Sequence, residues 1–547
     1  MPELPALFVG TVWDTLLDGT VRTLIERDLL CGFLHRQPWF QATRPRSARF
    51  KDWGLLHRGL EPVFLTIVEA ELEDVSEGRG TVYRQYFVPL ALASPEHSTG
   101  IQERFPHAVV ARVTGARKGV IYDAWHDARF AARLLEATGT ETGVATRQGR
   151  FDLQQRGALQ LMVADSDGPD ASPPAMASGG ESASMTLKLF RRVEPGVHPE
   201  VAITGHLADV GFTRAPLVAA VVGYTQADDE SSSIGMFALP RQPVESQADG
   251  WTYTMEWLRR LFDQVAALDL PASAQMCPDR SDGPPPAPVG DLMSTYLDLS
   301  AIIGRRTAEM HLALAADSTD VTFAPEPLGQ EDFALAVQRA MAHGERTLDS
   351  LEGALATMPL RVSSDAASLG RIVLEARSHV LDRIRSTAGL VTTGVRIRIH
   401  GDYRLGQVLL AEGDIYVQNV EGHLSWPAAA QRDKQSPLRD VAGLLRSFSY
   451  AAHAALLTRG TASPDQLAHL ARWAQAWETW ATASFLRSYY ATTASSPVSP
   501  SDTGACDALL RFFMLDRSLR ELDGELNNRP EWVGIPLSGL LGLLGLR

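Results

Sequence analysis

The stretch Arg398-Ile-His-Gly-Asp-Tyr-Arg-Leu-Gly-Gln407 is the most informative part of this 547-residue chain. Apolar strand-type residues lead into it, and a second β-type run, Ile415–Val420, follows it. Gly401 permits a tight backbone turn, so that the side chains of Asp402 and Gln407 can converge. The pattern predicts a polar loop held between two strands.

The five-residue interval from Asp402 to Gln407 matches the catalytic loop of kinases, where an aspartate precedes a metal-binding amide. In that chemistry the carboxylate meets the acceptor hydroxyl, and the amide oxygen holds a Mg²⁺ ion that bridges the ATP phosphates. The spacing therefore indicates a phosphoryl-transfer site. His-Gly-Asp is also an ordinary turn, so the interpretation depends on Gln407 and on the flanking strands.

Composition limits the remaining possibilities. The chain has 51 Lys and Arg against 65 Asp and Glu, a net charge of −14, which argues against nucleic acid or an anionic membrane as a partner. Cys31, Cys277 and Cys506 lie far apart, so neither a disulfide framework nor a cysteine-based zinc site is expected. The first residues lack the pattern of a signal peptide, and the apolar tail Ile535–Leu546 is too short to span a bilayer. We expect a cytoplasmic protein.

The chain is long enough for three or four folding units of about 150 residues each. Three Gly-, Ser- and Pro-rich stretches predict linkers or exposed loops: Asp165–Ser184, Pro278–Gly290 and Ala494–Gly504. Short β-rich runs precede the first break, and mostly helical periodicity follows the second. The order predicts an α+β, bilobal, protein-kinase-like phosphotransferase fold with a mainly helical C-lobe, an analogy at the level of fold.

Several longer runs carry a more specific resemblance. They are Leu187-Lys-Leu-Phe-Arg-Arg-Val-Glu-Pro-Gly196, Gly304-Arg-Arg-Thr-Ala-Glu-Met-His-Leu-Ala-Leu314, Phe323–Pro327, His400–Leu409, Ser436–Phe448 and Glu525-Leu-Asn-Asn-Arg-Pro-Glu-Trp532, with Pro38–Phe40, Tyr86–Leu90 and Gly119–Asp123 nearer the start. In these runs the chain resembles the maltokinases, particularly the form fused to or paired with trehalose synthase in bacteria. The resemblance covers nearly the whole chain.

The resemblance implies three domains: an N-terminal cap in residues 1–164, an intermediate N-lobe with a nucleotide-binding lysine strand in residues 165–290, and a helical C-lobe in residues 291–547. It also implies transfer of the ATP γ-phosphoryl group to the anomeric hydroxyl of maltose, with Mg²⁺ and ATP as cofactors. The product, maltose 1-phosphate, feeds α-glucan (glycogen) synthesis from trehalose. Maltose or a related sugar, and trehalose synthase, are the implied partners.

Carried over onto this chain, the family pattern makes Lys188 the nucleotide lysine, Asp402 the catalytic base, and Gln407 with Asn419 and Glu421 the metal ligands. It places sugar recognition at Glu525, Arg529 and Trp532 in the last matching run. A charged pair and an aromatic ring suit the hydroxyls and the apolar face of a sugar. A capped helix followed by a packed tryptophan is an equally good interpretation of that run.

The chain departs from the family pattern around the nucleotide and the metal. The metal-binding aspartate is Asn419, and Mg²⁺ is held mainly by carboxylates and phosphates. The partner glutamate of the lysine is Ala202, and Glu200 is expected to point from another helix face. The family's histidine in the catalytic loop is Arg404, and its phosphate-covering hairpin is replaced by a Gly/Ser/Pro-rich stretch that ends at Ser184.

The remaining polar candidates favour structural roles. His311 is expected to be a core histidine, and His423 forms no metal constellation with its neighbours. Arg439, Asp440 and Arg446 lie on an apolar helix, where structural ion pairs are expected.

Two hypotheses follow. In the first, the chain is a maltokinase-type sugar phosphotransferase of weak activity. In the second, it is a catalytically degraded pseudokinase with weak or absent ATP and Mg²⁺ binding, which acts as a scaffold or sugar sensor for trehalose synthase or another glucan enzyme.

Overall fold

The protein is described by a computed structural model. It describes residues 5–10, 12–40, 44–74, 80–127, 129–139, 143–155, 176–177, 184–226, 231–239, 248–267, 283, 285–316, 320–357, 363–389, 394–411, 413–420, 422, 431–459, 463–500 and 502–546. The chain is a mixed α+β protein with two compact units, Met1–Gly205 with Pro216–Pro243, and His206–Ala215 with Val244–Arg547.

Within its described residues, the first unit contains two antiparallel-rich sheets and five α-helices. Its strands are β1 (Ala6–Val9), β2 (Ser47–His57), β3 (Val63–Asp74), β4 (Gly80–Phe87), β5 (Leu90–Ala93), β6 (Val109–Gly115), β7 (Gly119–Asp123), β8 (Val144–Ala145), β9 (Gly149–Gln155), β10 (Met176–Ala177), β11 (Ser184–Leu189), β12 (Arg192–Val193), β13 (Leu217–Gln226) and β14 (Ser232–Leu239). Its helices are α1 (Thr20–Leu24), α2 (Leu30–His35), α3 (Pro95–Arg104), α4 (Phe130–Thr138) and α5 (Pro199–Asp209), and the last residues of α5 belong to the second unit.

The larger sheet has the order β1-β6-β7-β5-β3-β4-β12, with β2 paired to β3, and the smaller has the order β10-β11-β14-β13-β9-β8. Strand β13 lies between β14 and β9 in this sheet. It is a continuous apolar run because both of its faces are covered. On β11, Leu187 is buried in the core while its neighbour Lys188 points to the opposite face of the sheet. This alternation makes the lysine available for polar contacts.

The second unit is mainly helical. Its helices are α6 (Gly250–Ala267), α7 (Ala287–Leu314), α8 (Gln330–Thr357), α9 (Ser364–Glu375), α10 (Arg377–Arg385), α11 (Leu438–Leu457), α12 (Pro464–Thr493), α13 (Thr503–Asn528) and α14 (Gly534–Leu544). Short strands pair as β15 (Ala248–Asp249) with β18 (Val408–Ala411), β18 with β19 (Asp414–Val417), and β16 (Glu326–Pro327) with β17 (Val395–Arg396).

Helices α7 and α12 pack closely around a core of large aromatic residues. Trp473, Trp477 and Tyr296 are fully buried there. Gly304 lies against the backbone of α12, and a Cβ atom at this position would come within 2.3 Å of the Phe485 carbonyl oxygen. The absence of a side chain at Gly304 therefore sets how closely the two helices approach.

The helical periodicity located most of the C-terminal helices. The helical periodicity over Ala366–Thr387 predicts one helix, whereas the structure has two, α9 and α10, which meet at Ala376. Helix α6 and the hairpin β13–β14 were not expected from the sequence. The three-domain division and the bilobal arrangement stay predictions, and most of the linker Asp165–Ser184 lies outside the described residues.

Among the helices in the described ranges, none is long and apolar enough to cross a membrane.

Candidate active site

The loop that carries Asp402 is held through its backbone by a buried carboxylate. Asp440, in the first turn of α11, accepts hydrogen bonds from the amide of His400 at 2.7 Å and from that of Gly401 at 2.8 Å. Gly401 has a φ of 83°, a conformation that favours glycine. The Asp440 side chain is only 1% exposed, so these two bonds are shielded from water. Asp440 was expected to form a structural ion pair, and it also positions the loop that carries Asp402.

His311 lies behind this carboxylate as a buried core histidine. Its Nε2 atom is 3.2 Å from Oδ2 of Asp440, and its Nδ1 atom is 2.9 Å from the Tyr489 hydroxyl. The ring has no exposed surface. The side chain joins α7 and α12 to the start of α11, in agreement with the structural role predicted for it.

The Asp402 carboxylate lies between two guanidinium groups. Oδ1 accepts a bond of 3.1 Å from Arg517 on α13, and Oδ2 accepts one of 3.3 Å from Arg404. Burial opposes the charge on Arg517, but the carboxylates of Asp402 and Glu521 raise the pKa of the guanidinium above its ordinary value. The candidate base is thus oriented from two sides. Arg517 was not predicted from the sequence.

The two predicted metal ligands Gln407 and Asn419 are brought together. Nδ2 of Asn419 donates a hydrogen bond of 2.8 Å to Oε1 of Gln407. Asn419 has a φ of 58°, in the left-handed region that asparagine tolerates better than most residues. The third predicted ligand, Glu421, lies outside the described residues, as does His423.

This donor set fits Mg²⁺ poorly. Both described ligands are neutral amides, and they bond to each other, whereas Mg²⁺ in proteins is held by carboxylate and phosphate oxygens. Within the described ranges, no group of three or more His, Cys, Asp or Glu side chains could hold a metal ion. The roles of Gln407, Asn419 and Glu421 as ligands stay predictions.

In the first unit, Lys188 forms an ion pair with Glu200 that was not expected from the sequence. Its Nζ atom lies 2.5 Å from Oε2 of Glu200, whose side chain is only 4% exposed. The expectation that Glu200 points to another face was wrong. Glu200 is the second residue of α5, and side chains of a first turn lean toward the helix N-terminus. Strand β11 lies on that side, so Glu200 supplies the carboxylate that Ala202 lacks.

The three predicted sugar-binding residues form one cluster in the second unit. Arg529 donates to Glu525 through Nε at 2.9 Å and through a terminal nitrogen at 2.6 Å. The same guanidinium lies 4.9 Å from the centre of the Trp532 ring. The Tyr450 hydroxyl donates to Glu525 at 2.5 Å, and its ring stacks on Trp532 at 6.0 Å and 16°. Burial, followed by Glu525, raises the pKa of Tyr450 above its ordinary range.

A line of charged residues on α13 connects this cluster with Asp402. Arg517, Glu521 and Glu525 recur every four residues and therefore share one helix face. Arg517 Nε lies 3.5 Å from Glu521, which also accepts a bond of 2.8 Å from Arg446 on α11. We call Arg517, Glu521 and Glu525 the α13 stripe. The four-residue spacing of its charges is the sequence signal that would have revealed Arg517.

Comparison with known proteins places this geometry in context. No family model matches the chain. The chain is 25% identical over 361 residues to a glucosamine kinase of Streptacidiphilus jiangxiensis, covering 65% of this chain and 68% of that protein. It is 24% identical over 418 residues to a glucosamine kinase of Mycolicibacterium smegmatis, covering 76% and 88%. Both relatives are sugar kinases.

The fold is similar to that of solved glucosamine kinase structures. A glucosamine kinase structure, crystal form B, matches with a TM-score of 0.58 at 19% identity, over 97% of this chain and 99% of that one. A glucosamine kinase in complex with glucosamine, ADP and inorganic phosphate matches with a TM-score of 0.55 at 20% identity, over 96% and 99%. Sequence and fold together support a kinase-like sugar phosphotransferase. They do not single out the maltokinases, to which the sequence runs pointed.

Proposed function

We propose that this chain is an ATP-dependent sugar phosphotransferase, and the ion pair between Lys188 and Glu200 is the observation that carries the proposal. Kinases use such a pair to hold the lysine that contacts the ATP phosphates. Forming it here requires a lysine on a strand and a nearly buried glutamate on the next helix. A surface lysine would need no such partner. The pair restores the part of the nucleotide site that the sequence suggested was lost.

In the proposed reaction, a sugar hydroxyl oxygen attacks the γ-phosphorus of ATP. The new oxygen–phosphorus bond forms as the bond to the ADP leaving oxygen breaks, and the Asp402 carboxylate takes the hydroxyl proton. Arg517 and Arg404 fix the orientation of that carboxylate. Lys188 offsets phosphate charge. Because the described candidate metal ligands, Gln407 and Asn419, are both neutral amides, we expect turnover to be slow.

The proposed acceptor is glucosamine, since both sequence relatives are glucosamine kinases. The stacked rings of Tyr450 and Trp532 offer an apolar surface, and Glu525 offers carboxylate oxygens to hydroxyl or ammonium donors. Maltose, with maltose 1-phosphate as product, is the alternative acceptor that the maltokinase resemblance favours. A cytoplasmic location belongs to this proposal as well. A Mg²⁺ ion that accompanies ATP would rely on the phosphate oxygens, because Gln407 and Asn419 offer it only neutral amides.

An ADP-release assay with glucosamine, maltose and glucose tests the proposal. We expect release that depends on glucosamine and that falls at least 100-fold in Asp402→Asn. Release that depends on maltose alone would replace the acceptor and leave the phosphotransferase intact. Release with none of the sugars, although ATP binds, would refute the proposed activity.

A pseudokinase is the second candidate, and the hydrogen bond between Asn419 and Gln407 favours it. Two amides that satisfy each other leave less reason for a cation to bind. On this hypothesis the chain is a scaffold or sugar sensor for trehalose synthase or another glucan enzyme. Titration of the melting temperature separates the candidates, because a ligand that binds the native state must raise it. A flat response to millimolar Mg·ATP, with a shift on adding sugar, would identify the pseudokinase.

A further inference from the structure

A cavity of about 820 Å³ in the second unit is unusually basic for a chain with a net charge of −14. We call it the basic cavity. It is lined by six cationic side chains, namely Arg339, Arg396, Arg432, Lys434, Arg439 and Arg520, and by the three acidic side chains Glu326, Asp332 and Asp433. Its size is that of a typical small-molecule site.

The carboxylates around the basic cavity are already shared between cations. Glu326 accepts from Lys434 at 2.6 Å and from Arg396 at 2.8 Å. Arg439 and Arg520 share the single carboxylate of Asp516, at 3.3 and 3.1 Å, and that carboxylate is only 3% exposed. Counting Asp516, and Asp320 next to the lining residue Val321, the described residues place six cations against five carboxylates around the cavity. Cations therefore outnumber carboxylates among the described residues.

A further arginine, Arg398, is hydrogen-bonded to a residue of the cavity lining. Arg398 is 4% exposed and donates to the carbonyl oxygen of Arg432 at 2.7 Å. Its Nε atom and one terminal nitrogen have no hydrogen-bond partner among the described residues. Burial, followed by the nearby Arg432, lowers the pKa of Arg398 to about 10. Burial likewise lowers the pKa of Arg439. Burial lowers the pKa of any arginine, so at Arg398 only the contribution of Arg432 reflects a neighbouring positive charge.

The basic cavity also has an apolar side. Phe333 and Phe513 are only 1% and 5% exposed, whereas Leu335 and Val321, which line the same space, are 46% and 80% exposed. An anion with no carbon skeleton would leave this side unused. We propose that the basic cavity binds a phosphate monoester of a small molecule, such as a sugar phosphate, with the phosphate on the arginines and the carbon skeleton on the exposed apolar side chains of Leu335 and Val321.

The site is connected with the catalytic loop through two segments. Arg439 directly precedes Asp440, whose carboxylate holds the amides of His400 and Gly401. Arg396 is followed by Ile397, which exchanges two backbone hydrogen bonds with Gln435 and continues into the loop. A bound phosphate that draws Arg439 and Arg396 together will therefore tighten the loop. The site acts as a regulatory site, and its binding step does not depend on the proposed catalysis.

Calorimetry on the full chain at low salt tests the binding step. The probes are glucose 6-phosphate, glucose 1-phosphate, inorganic phosphate and uncharged glucose. We expect the sugar phosphates to bind at least 10-fold more tightly than inorganic phosphate, and glucose not to bind at this site. Arg339→Glu combined with Arg520→Glu should weaken sugar-phosphate binding at least 10-fold. Arg383→Glu, the same charge change at an exposed position of α10 outside the cavity, should leave it unchanged.

Two further measurements separate this site from the proposed active site. Lys188→Ala should weaken ATP binding and leave sugar-phosphate binding intact. Hydrogen exchange at the amides of His400 and Gly401 should slow when glucose 6-phosphate is added. No binding to the wild-type chain, equal binding of inorganic phosphate, or equal binding by the double variant would each overturn the proposal.

Discussion

The side chain of Asn419 donates a hydrogen bond of 2.8 Å to that of Gln407, so two residues expected to face a cation face each other instead. An aspartate at position 419 cannot donate, and its charge would attract a cation to the space between the two side chains.

We therefore predict that Asn419→Asp tightens Mg·ATP binding by about 10-fold, because hard divalent cations prefer carboxylate oxygens. Thermal-shift titration with ATP, with and without Mg²⁺, measures the effect. Asn528→Asp adds the same charge at an exposed helix end and serves as the control. An equal gain in both variants would show that general electrostatics, and not the metal position, is responsible.

Removing the carboxylate of Glu200 should weaken ATP binding. We expect Glu200→Ala to raise the KM for ATP about 10-fold, since Lys188 loses the group that fixes its position. Moving the acid two residues, in Glu200→Ala with Ala202→Glu, should not rescue the KM, because residue 202 lies on another helix face. Full rescue by the double variant would contradict the observed pairing.

Asp440 should matter for stability and activity together. Asp440→Asn replaces an oxygen by a donor that faces the amides of His400 and Gly401, which leaves buried groups unsatisfied. We predict a loss of roughly 2–3 kcal/mol in unfolding free energy, measured by urea titration, and at least a 100-fold loss of kcat. Asp465→Asn, at an exposed site, is the control. A variant of full activity would mean that the loop is held by other contacts.

Sugar binding at the cluster of Glu525, Arg529 and Trp532 should weaken when the hydroxyl of Tyr450 is removed. Tyr450→Phe keeps the ring stacked on Trp532 but removes the donor to Glu525. We expect the KM for the sugar to rise about 5- to 10-fold while the KM for ATP stays constant. Tyr83→Phe, at an exposed position of the first unit, should change neither. An altered KM for ATP alone would remove this cluster from the acceptor site.

The acid side of the stability profile should depend on Glu61. Burial opposes its charge, but hydrogen bonds from His97, Ser94 and Arg129 lower its pKa from 4.5 to about 2. A carboxyl group with a lowered pKa stabilises the folded state above its unfolded pKa, and this contribution is lost as the pH falls from 4.5 toward 2.

Glu61→Gln should therefore cost roughly 1–2 kcal/mol at pH 7, and the difference from the wild type should shrink below pH 4.5. Urea unfolding at pH 7, 5 and 3.5 measures this difference. Glu96→Gln, an exposed neighbour, should cost little at any pH. A difference that is independent of pH would assign the effect of Glu61 to packing.

The local sequence pattern predicted many of the helices and strands but not the tertiary contacts between them. Helices α7, α8, α11, α12 and α13 follow from apolar periodicity, although α11 is buried on nearly all sides. Helix α6 was missed because it follows a polar stretch. The hairpin β13–β14 was missed because a continuous apolar run does not distinguish a buried strand from a buried helix.

Site residues divide in the same way. Asp402 and Gln407 could be recognised as candidates from the sequence because both lie on one short loop, which fixes their spacing. The error at Glu200 arose because helix faces were counted without knowing where α5 begins relative to β11. Arg517 reaches Asp402 from a helix more than one hundred residues away, a contact that only the folded chain reveals.

The left-handed backbone of Asn419 has an evolutionary consequence. Aspartate tolerates this conformation almost as well as asparagine, so exchanging the two requires no rearrangement of the chain. Their codons differ at the first nucleotide only. A lineage that carries this protein is therefore one point mutation away from a carboxylate at position 419, and the change is equally easy to reverse.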